Sequence, residues 1–588
     1  MKLALADLWG ARRPQLGRDL AGAATVTFLS VPQGVAYAMI AGLPPAMGLY
    51  AGAVPVIVGS LFRSSHLVVS GPSNAVSLLV GTATAAAAER AGMDPVQVAV
   101  TLALMVGVIQ TGAGLLRLGV LVDYVSRSVV LGYISGAAVL IGAGQLSNVT
   151  GTAGARGNLP EQLWSWMQGL DQVHGWSVGL ALAAAALVLV LHRVAPKVPG
   201  ALMAMVAGIA ASWGLDLAGR GVKVSGDIGQ VAAGLPPLSV PGGLDLFELA
   251  PLAFAATVLS LVESSAVGRS LAAKSGDRLD ADTEFVGQGL ANLAAAFTSG
   301  YPVSGSLARS ILNHASGASS RLSGVLSGAM VLAVLLLAGP VVDFTPIPVL
   351  AGILLVVAWR MIDRAAIART LRSSQVDALA FVGTVAGTFL VRLDLAVYLG
   401  VGISLVVFLR RARLLRAGEL RFDARGRLRE HEPERPGGTA CTAVKVLHLE
   451  GSLFFGAAGE LRDLLDEAVE DGTRVLVARV KRCHDLDATT ALVFAEVAEG
   501  LERSGRHLLL VGMRPRAMEV LEASGTTGRV GADALFPTQP GWFVALDQAL
   551  ERALDLAGEH ACGDRCPAVS YLASRASQRP APSEVSPR

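Results

Sequence analysis

The sequence predicts a polytopic α-helical membrane protein of about fourteen spans, followed by a small soluble α/β domain. Three observations predict it. Of the 588 residues, 52% are hydrophobic and only 16% charged, and the mean hydropathy is +0.54; a soluble chain of this length would carry roughly a quarter charged residues. The charge deficit is concentrated in the first 410 positions, where runs of Ala, Val, Leu and Gly recur at membrane-spanning length. Beyond them the pattern changes to short alternating strand-like and helix-like segments.

A spanning helix needs roughly 20 mainly apolar residues. Long candidates are 21–41, 44–62, 95–117, 126–147, 177–193, 198–218, 249–268, 322–339, 345–360, 375–392 and 394–410. Shorter stretches near 70–88, 284–299 and 303–318 are broken by Gly, Pro, Ser or Asn and read as discontinuous or half-buried helices. With the N-terminus inside, the cytoplasmic loops collect about twenty-one Lys and Arg against about five outside, a strong positive-inside bias. The inner set includes Lys2, Arg12, Arg63, Lys197, Lys274, Arg321 and Arg411; the outer set is Arg90, Arg156, Arg220, Lys223 and Arg392. Adding or dropping one span in the middle would scramble that bias. The expected location is the inner cell membrane, with residues 1–18 cytoplasmic and 19–416 forming the transmembrane domain. No cleavable signal peptide is visible, so the first span is expected to act as its own insertion signal.

The net charge of +2 gives no sign of a nucleic-acid partner. All four cysteines, Cys441, Cys483, Cys562 and Cys566, lie in the C-terminal third. Cys562 and Cys566 form a CxxxC that reads first as a pair of reduced thiols, with a metal site as the sharper alternative. No cofactor is implied. No nucleophile–base set stands out in the membrane part, so an enzyme is not expected.

Two segments carry the functional signal. Ser70-Gly71-Pro72-Ser73-Asn74 opens one short span and Gly300-Tyr301-Pro302-Val303-Ser304-Gly305-Ser306 opens another. Gly and Pro ahead of a Ser-containing helix start place a helix N-terminus inside the membrane. These are the third and tenth spans, matching positions in two halves of seven, which points to a midplane site between inverted repeats. A helix N-terminus offers unpaired N–H groups and roughly half a positive charge, so two facing ends make an anion cradle. Arg309 lies one turn beyond Ser306 and adds a full charge; the plainer alternative is that it neutralises an acidic neighbour such as Glu263. Glu263 itself, inside the otherwise apolar span 249–268, is a candidate carrier of a coupling proton or a structural carboxylate bonded to a facing helix.

At these residues the chain resembles the sulfate permease (SulP) family of anion transporters, over about 15–555. Val31-Pro32-Gln33-Gly34-Val35-Ala36-Tyr37-Ala38, with Ala41-Gly42-Leu43-Pro44-Pro45 and Gly48-Leu49-Tyr50, resembles that family's opening signature. Gly287-Gln288-Gly289-Leu290-Ala291-Asn292, Gly300 to Ser306 and Arg309-Ser310 resemble its second. The resemblance implies a seven-plus-seven inverted repeat like that of uracil permeases, with a core domain moving against a gate domain. It implies an anion site between the third and tenth half-helices: Gln33, Tyr37, Ser73, Asn74, Ser306, Leu307, Ala308 and Arg309, with Glu263 for coupling. Family members often have Phe at the position of Ser73 and Ser at that of Ala308. Sodium-coupled members carry Thr one turn after the carboxylate, where this chain has Val267, which weighs against a sodium site of that type.

Residues 417–440 are charged and rich in Pro and Gly and read as a linker. The domain 441–555 then alternates: a strand from Ala443, a helix over 457–470, a strand over 474–480, a helix over 488–503, a strand over 507–511 and a helix over 516–523. Gly451-Ser452-Leu453-Phe454-Phe455-Gly456 and Asp487-Ala488-Thr489-Thr490 resemble the STAS domain that closes most family members. That makes Thr489 a regulatory phosphorylation candidate; the plainer reading is an N-terminal helix cap. The remainder, 556–588, is rich in Pro, Ser and Arg and reads as a disordered tail.

The expected function is secondary active transport of a small inorganic anion, sulfate or bicarbonate foremost, by alternating access. Coupling to H+ or exchange is expected, in a homodimer surrounded by membrane lipid. The alternatives are an anion channel or a membrane sensor signalling through the STAS domain. A nucleobase permease fits less well, because it would need carboxylates where the tenth span offers Arg309.

Overall fold

The computed structural model describes residues 13–91, 94–120, 125–153, 159–195, 198–242, 246–276, 278–391, 393–422, 427–431, 440–541 and 543–578. Lys2, Arg12, Arg156, Lys197 and Arg392 lie outside the described residues, as do the side chains of Arg90, Lys274 and Arg411. The chain divides into two compact units, 1–405 and 406–588.

In the first unit every apolar segment expected from the sequence is helical. The helices are Arg13–Ile40, Pro45–Ala51 with Val54–Phe62, Asn74–Ala91, Pro95–Leu115, Arg127–Thr150, Gly175–Val194, Gly200–Gly214, Leu246–Ser275, Ala281–Phe297, Leu307–Ala315, Leu322–Val342, Ile347–Met361, Gln375–Leu390 and Leu393–Ala412. Among the described residues, seven stretches are long and apolar enough to cross a membrane by length and composition. Two further helices, Leu159–Gln168 and Arg364–Ser373, bury no residue and are polar on one face.

Packing sorts the spans. Ala281–Phe297 lies against Pro95–Leu115 and Val54–Phe62, and Ile347–Met361 lies against Arg127–Thr150 and Gly175–Val194. These contacts are lined by small residues that let backbones approach. A Cβ at Gly287, for example, would meet the Arg63 backbone at 2.6 Å. By contrast only 33% of the apolar window in Leu322–Val342 is buried, and Leu336 and Leu337 are exposed. An apolar surface of that kind suits a lipid solvent.

Arg63 departs from expectation. It was counted as a cytoplasmic loop charge, yet it is 1% exposed. It pairs with Glu284 at 3.6 Å and donates to Ser70 Oγ and Gln288 Oε1, both at 2.6 Å. Hydropathy places Arg63 at a span end, and only the neighbouring helix supplies the partners that bury it.

The second unit is a six-stranded sheet with helices. Its strands are β3 (Arg416–Phe422), β4 (Leu428–Glu430), β5 (Val444–Ser452), β6 (Val475–His484), β7 (His507–Met513) and β8 (Leu535–Pro537), in the order β4-β3-β5-β6-β7-β8. The run β5 to β8 is parallel and the hairpin β3–β4 joins it antiparallel. The helix Ala488–Arg503 and the strands starting at Val444, Val475 and His507 fall where the alternating pattern placed them.

Both flanks of this domain correct the sequence reading. The stretch read as a linker, 417–440, carries β3 and β4, whose backbone N–H and C=O groups extend the sheet past β5; residues 423–426 and 432–439 lie outside the description. The stretch read as a disordered tail continues into the helix Pro567–Gln578, with Tyr571 buried against Phe422 at 5.6 Å between ring centroids. Tyr571 donates to Asp547 at 2.8 Å and Arg575 pairs with it at 3.2 Å. Composition misled because the residues that dock this helix are few and their partners lie far off in sequence. Residues 579–588 lie outside the description.

Candidate functional site

The two interrupted spans meet. Ser70–Gly71 (β1) and Ser304–Gly305 (β2) form a short antiparallel pair, Ser70 opposite Gly305 and Gly71 opposite Ser304. The helices Asn74–Ala91 and Leu307–Ala315 start directly after these strands. Two helix N-termini, with their partly positive N–H groups, therefore begin at one crossing.

Non-helical backbone at membrane depth must have its polar groups satisfied, and the stretch 300–306 is held by side chains of the helix beneath it. Val303 N–H donates to Asn292 Oδ1 at 2.7 Å, while Val303 C=O accepts from Gln288 Nε2 at 2.8 Å and Asn292 Nδ2 at 3.1 Å. Gln288 and Asn292 are four apart and so share one helix face. Asn292 also donates to Gln110 at 2.8 Å, and Gln110 reaches Ser260. Across the pair, Ser306 N–H donates to Val69 C=O at 3.0 Å, and Val69 N–H to Ser310 Oγ at 2.9 Å. Ser306 caps its helix by accepting from Arg309 N–H at 3.5 Å.

Arg309 is 1% exposed. Its Nη2 donates to the Pro72 carbonyl, and its Nε has no hydrogen-bond partner. Gly71 lies against the guanidinium at a φ of +140°, where a side chain would be strained and would collide with it. Tyr37, Tyr301 and Glu263 all interact electrostatically with Arg309. Tyr37 is buried, and Tyr301 shares a hydrogen bond with Ser77 at 3.0 Å. Gln33 is buried with its Oε1 unpartnered.

Glu263 is half-buried and accepts from Ser73 Oγ at 2.9 Å. Among the described residues it forms no direct ion pair with Arg309, though the two interact electrostatically. Ser73 thus has a defined partner. Asn74 Oδ1 accepts the adjacent Ala75 N–H at 2.8 Å and its amide reaches Met361, while Ser73 Oγ accepts Val76 N–H at 3.4 Å. Leu307 and Ala308 are exposed while Arg309 and Ser310 are buried. Val267 packs with Leu67, Val68, Leu271 and Ala318, an apolar cluster that offers no oxygen ligand.

The sequence reading missed a polar network behind β1. Glu284, 1% exposed, accepts from Ser64 at 3.2 Å, Ser65 N–H at 3.3 Å and Ser264 at 3.3 Å, besides pairing with Arg63. A carboxylate at a span boundary whose Arg partner lies more than 200 residues earlier has no local signature.

In the second unit Asp487, not Thr489, caps the helix Ala488–Arg503: its carboxylate accepts Thr490 N–H at 2.9 Å. Thr490 is buried and donates to Leu453 C=O at 2.7 Å, and Asp487 Oδ2 accepts Phe455 N–H at 2.5 Å. Thr489 is exposed in the first turn.

Residues 16–384 match the model of the Sulfate permease family, and residues 438–539 match the STAS domain. YvdB of Bacillus subtilis (strain 168), whose name assigns it provisionally to sulfate transport, is 29% identical over 530 residues, covering 88% of this chain and 96% of its own. The fold is shared with the murine Solute Carrier 26 family member A9 anion transporter in its inward-facing state, at TM-score 0.84 and 19% identity over 94% of each chain. It is shared also with the transmembrane domain of the cyanobacterial bicarbonate transporter BicA, at TM-score 0.57 and 24% identity, covering 67% of this chain and 98% of that one. With its membrane unit matched over most of its length and a STAS domain behind it, the chain belongs to the sulfate permease family.

Proposed function

We propose that this protein is a secondary active transporter of small inorganic anions, sulfate or bicarbonate foremost, working by alternating access. One observation carries the reading: at the crossing of two helix N-termini sits a buried guanidinium whose Nε lacks a partner. A buried cation with spare donor capacity favours an anion, and the N–H groups of the two helix starts add to it. Gln33, Tyr37, Ser73, Asn74, Ser306, Leu307, Ala308 and Arg309 would form the site, within a seven-plus-seven inverted repeat. The names of the relatives, which include transporters of sulfate, agree with the substrate class.

Glu263 would carry a coupling proton, or transport would be uncoupled exchange; the apolar surroundings of Val267 favour these over sodium. The protein would sit as a homodimer in the inner membrane, N-terminus and STAS domain cytoplasmic, with Thr489 a site of regulatory phosphorylation. Proteoliposomes tested with labelled sulfate and bicarbonate, with and without sodium and at two pH values, should take up at least one. Arg309→Gln should abolish that uptake while the protein stays folded in detergent. Failure of every anion would sink the carrier reading, and wild-type affinity in Arg309→Gln would remove Arg309 from the site.

A further inference from the structure

Cys441, His560, Cys562 and Cys566 converge in the second unit, with their ligand atoms all within 4.8 Å of one another. From this we infer a tetrahedral Cys3His zinc site that staples the end of the STAS domain to the start of its central strand β5. A Zn–S bond of roughly 2.3 Å and a Zn–N bond of roughly 2.0 Å put the ligands of a tetrahedral site roughly 3.5–3.8 Å apart. His560 Nε2 and Cys566 Sγ already stand at 3.4 Å.

Local structure explains the convergence. The helix Val544–Ala557 ends at Gly558, whose φ of +56° and ψ of −151° only glycine adopts readily. Two turns follow: Gly563 N–H donates to His560 C=O at 3.0 Å, and Cys566 N–H to Gly563 C=O at 3.1 Å. They fold His560, Cys562 and Cys566 onto one side. Arg474 holds both halves of the site in register: its guanidinium donates to the carbonyls of Ala557 at 2.6 Å and Glu559 at 2.8 Å, and its backbone N–H to Ala443 at 2.8 Å. Cys441, two residues before Ala443, is thereby set opposite the turn.

The surroundings are those of a ligand set rather than of packed thiols. His560 Nδ1 lies 2.8 Å from the Gly558 carbonyl, so the ring donates there, the usual outer contact of a metal-bound His, and its Nε2 faces the cluster. Thr442 Oγ1 lies 3.7 Å from Cys562 Sγ. Cys441 and Cys566 are 5% and 0% exposed, and an imidazole nitrogen aimed at two buried sulfurs has no apolar purpose. Three thiolates, an imidazole and Zn2+ leave a single net negative charge. Once bound, the metal would link residues 441 and 566 and so hold the helix Pro567–Gln578 in place.

The test uses the full chain purified under reducing conditions without added metal. Elemental analysis should find one zinc per chain, and titration of the metal-free protein with Co2+ should give the intense visible absorption of tetrahedral thiolate-bound cobalt. Cys562→Ser and His560→Ala should lower metal affinity at least tenfold, whereas Cys483→Ser, whose thiol bonds to Leu449, should leave it unchanged. Thr442→Val, outside the ligand set, should weaken binding roughly tenfold without loss of fold. No zinc together with no cobalt band overturns the inference. So does a non-reduced peptide map linking Cys441 to Cys562 or Cys566 by a disulfide in freshly isolated protein.

Discussion

Replacing Asn292 by Leu tests the central structural claim, that side chains of the helix Ala281–Phe297 hold the broken stretch ahead of Ser306. Asn292 serves four groups: Val303 N–H, Val303 C=O, Gln110 Oε1 and the Gln288 carbonyl. Leucine keeps the approximate volume and removes all four contacts. The Val303 carbonyl keeps Gln288 as a partner, and the Gln288 carbonyl lies within a helix. Val303 N–H and Gln110 Oε1 lose partners in a site where Val303, Asn292 and Gln110 are all 0% exposed. Each buried orphan costs about 1–3 kcal/mol, so the variant should lose about 2–6 kcal/mol. That is a large fraction of a typical stability of about 5–15 kcal/mol. Reversible denaturation in mixed detergent micelles would read the loss, and uptake in proteoliposomes should fall at least tenfold because Ser306 and Arg309 follow Val303 directly. Stability within about 0.5 kcal/mol of wild type, with uptake intact, would refute the argument.

Arg63→Met leaves Glu284 buried without its cation and should cost about 3–5 kcal/mol, while Arg63→Met/Glu284→Gln should recover more than half of that in the same denaturation assay. Glu263→Gln should leave anion binding intact and flatten the response of uptake to a pH gradient; an unchanged response would make Glu263 structural. In the soluble domain, burial, helped by the charge of Arg479, holds the His448 imidazole below its usual 6.5. The unfolded chain then takes up the proton first, so stability is present above about 6.5 and is lost as pH falls from there through the lower folded value. Hydrogen exchange of peptides covering β5 should accelerate beyond the intrinsic rate change across that window in the wild-type chain and not in His448→Asn.

What the sequence determined alone is everything that rests on solvent preference and short-range geometry. Apolar runs of span length located the apolar helices of the first unit, because a lipid core admits little else. Gly and Pro before Ser73 and Ser306 marked where two helices begin, because those residues govern backbone dihedrals locally. Arg309 stood out because a charge inside a span is costly. Alternation located the starts of six elements of the second unit to within a residue.

Only the tertiary structure decided which groups are answered, and by what. Arg63 read as a loop charge until Glu284 and Gln288, more than 200 residues on, were seen around it. The cap of the helix Ala488–Arg503 passed from Thr489 to Asp487 because cap choice depends on where the preceding loop turns the chain. A supposed linker became β3 and β4, and a supposed tail became a docked helix, because a few long-range contacts outweighed a polar composition. Cys562 and Cys566 were legible as a pair, but Cys441 and His560 joined them only through the fold. A burial preference can be read residue by residue, whereas a hydrogen bond, an ion pair or a ligand set is a property of two or more distant residues at once.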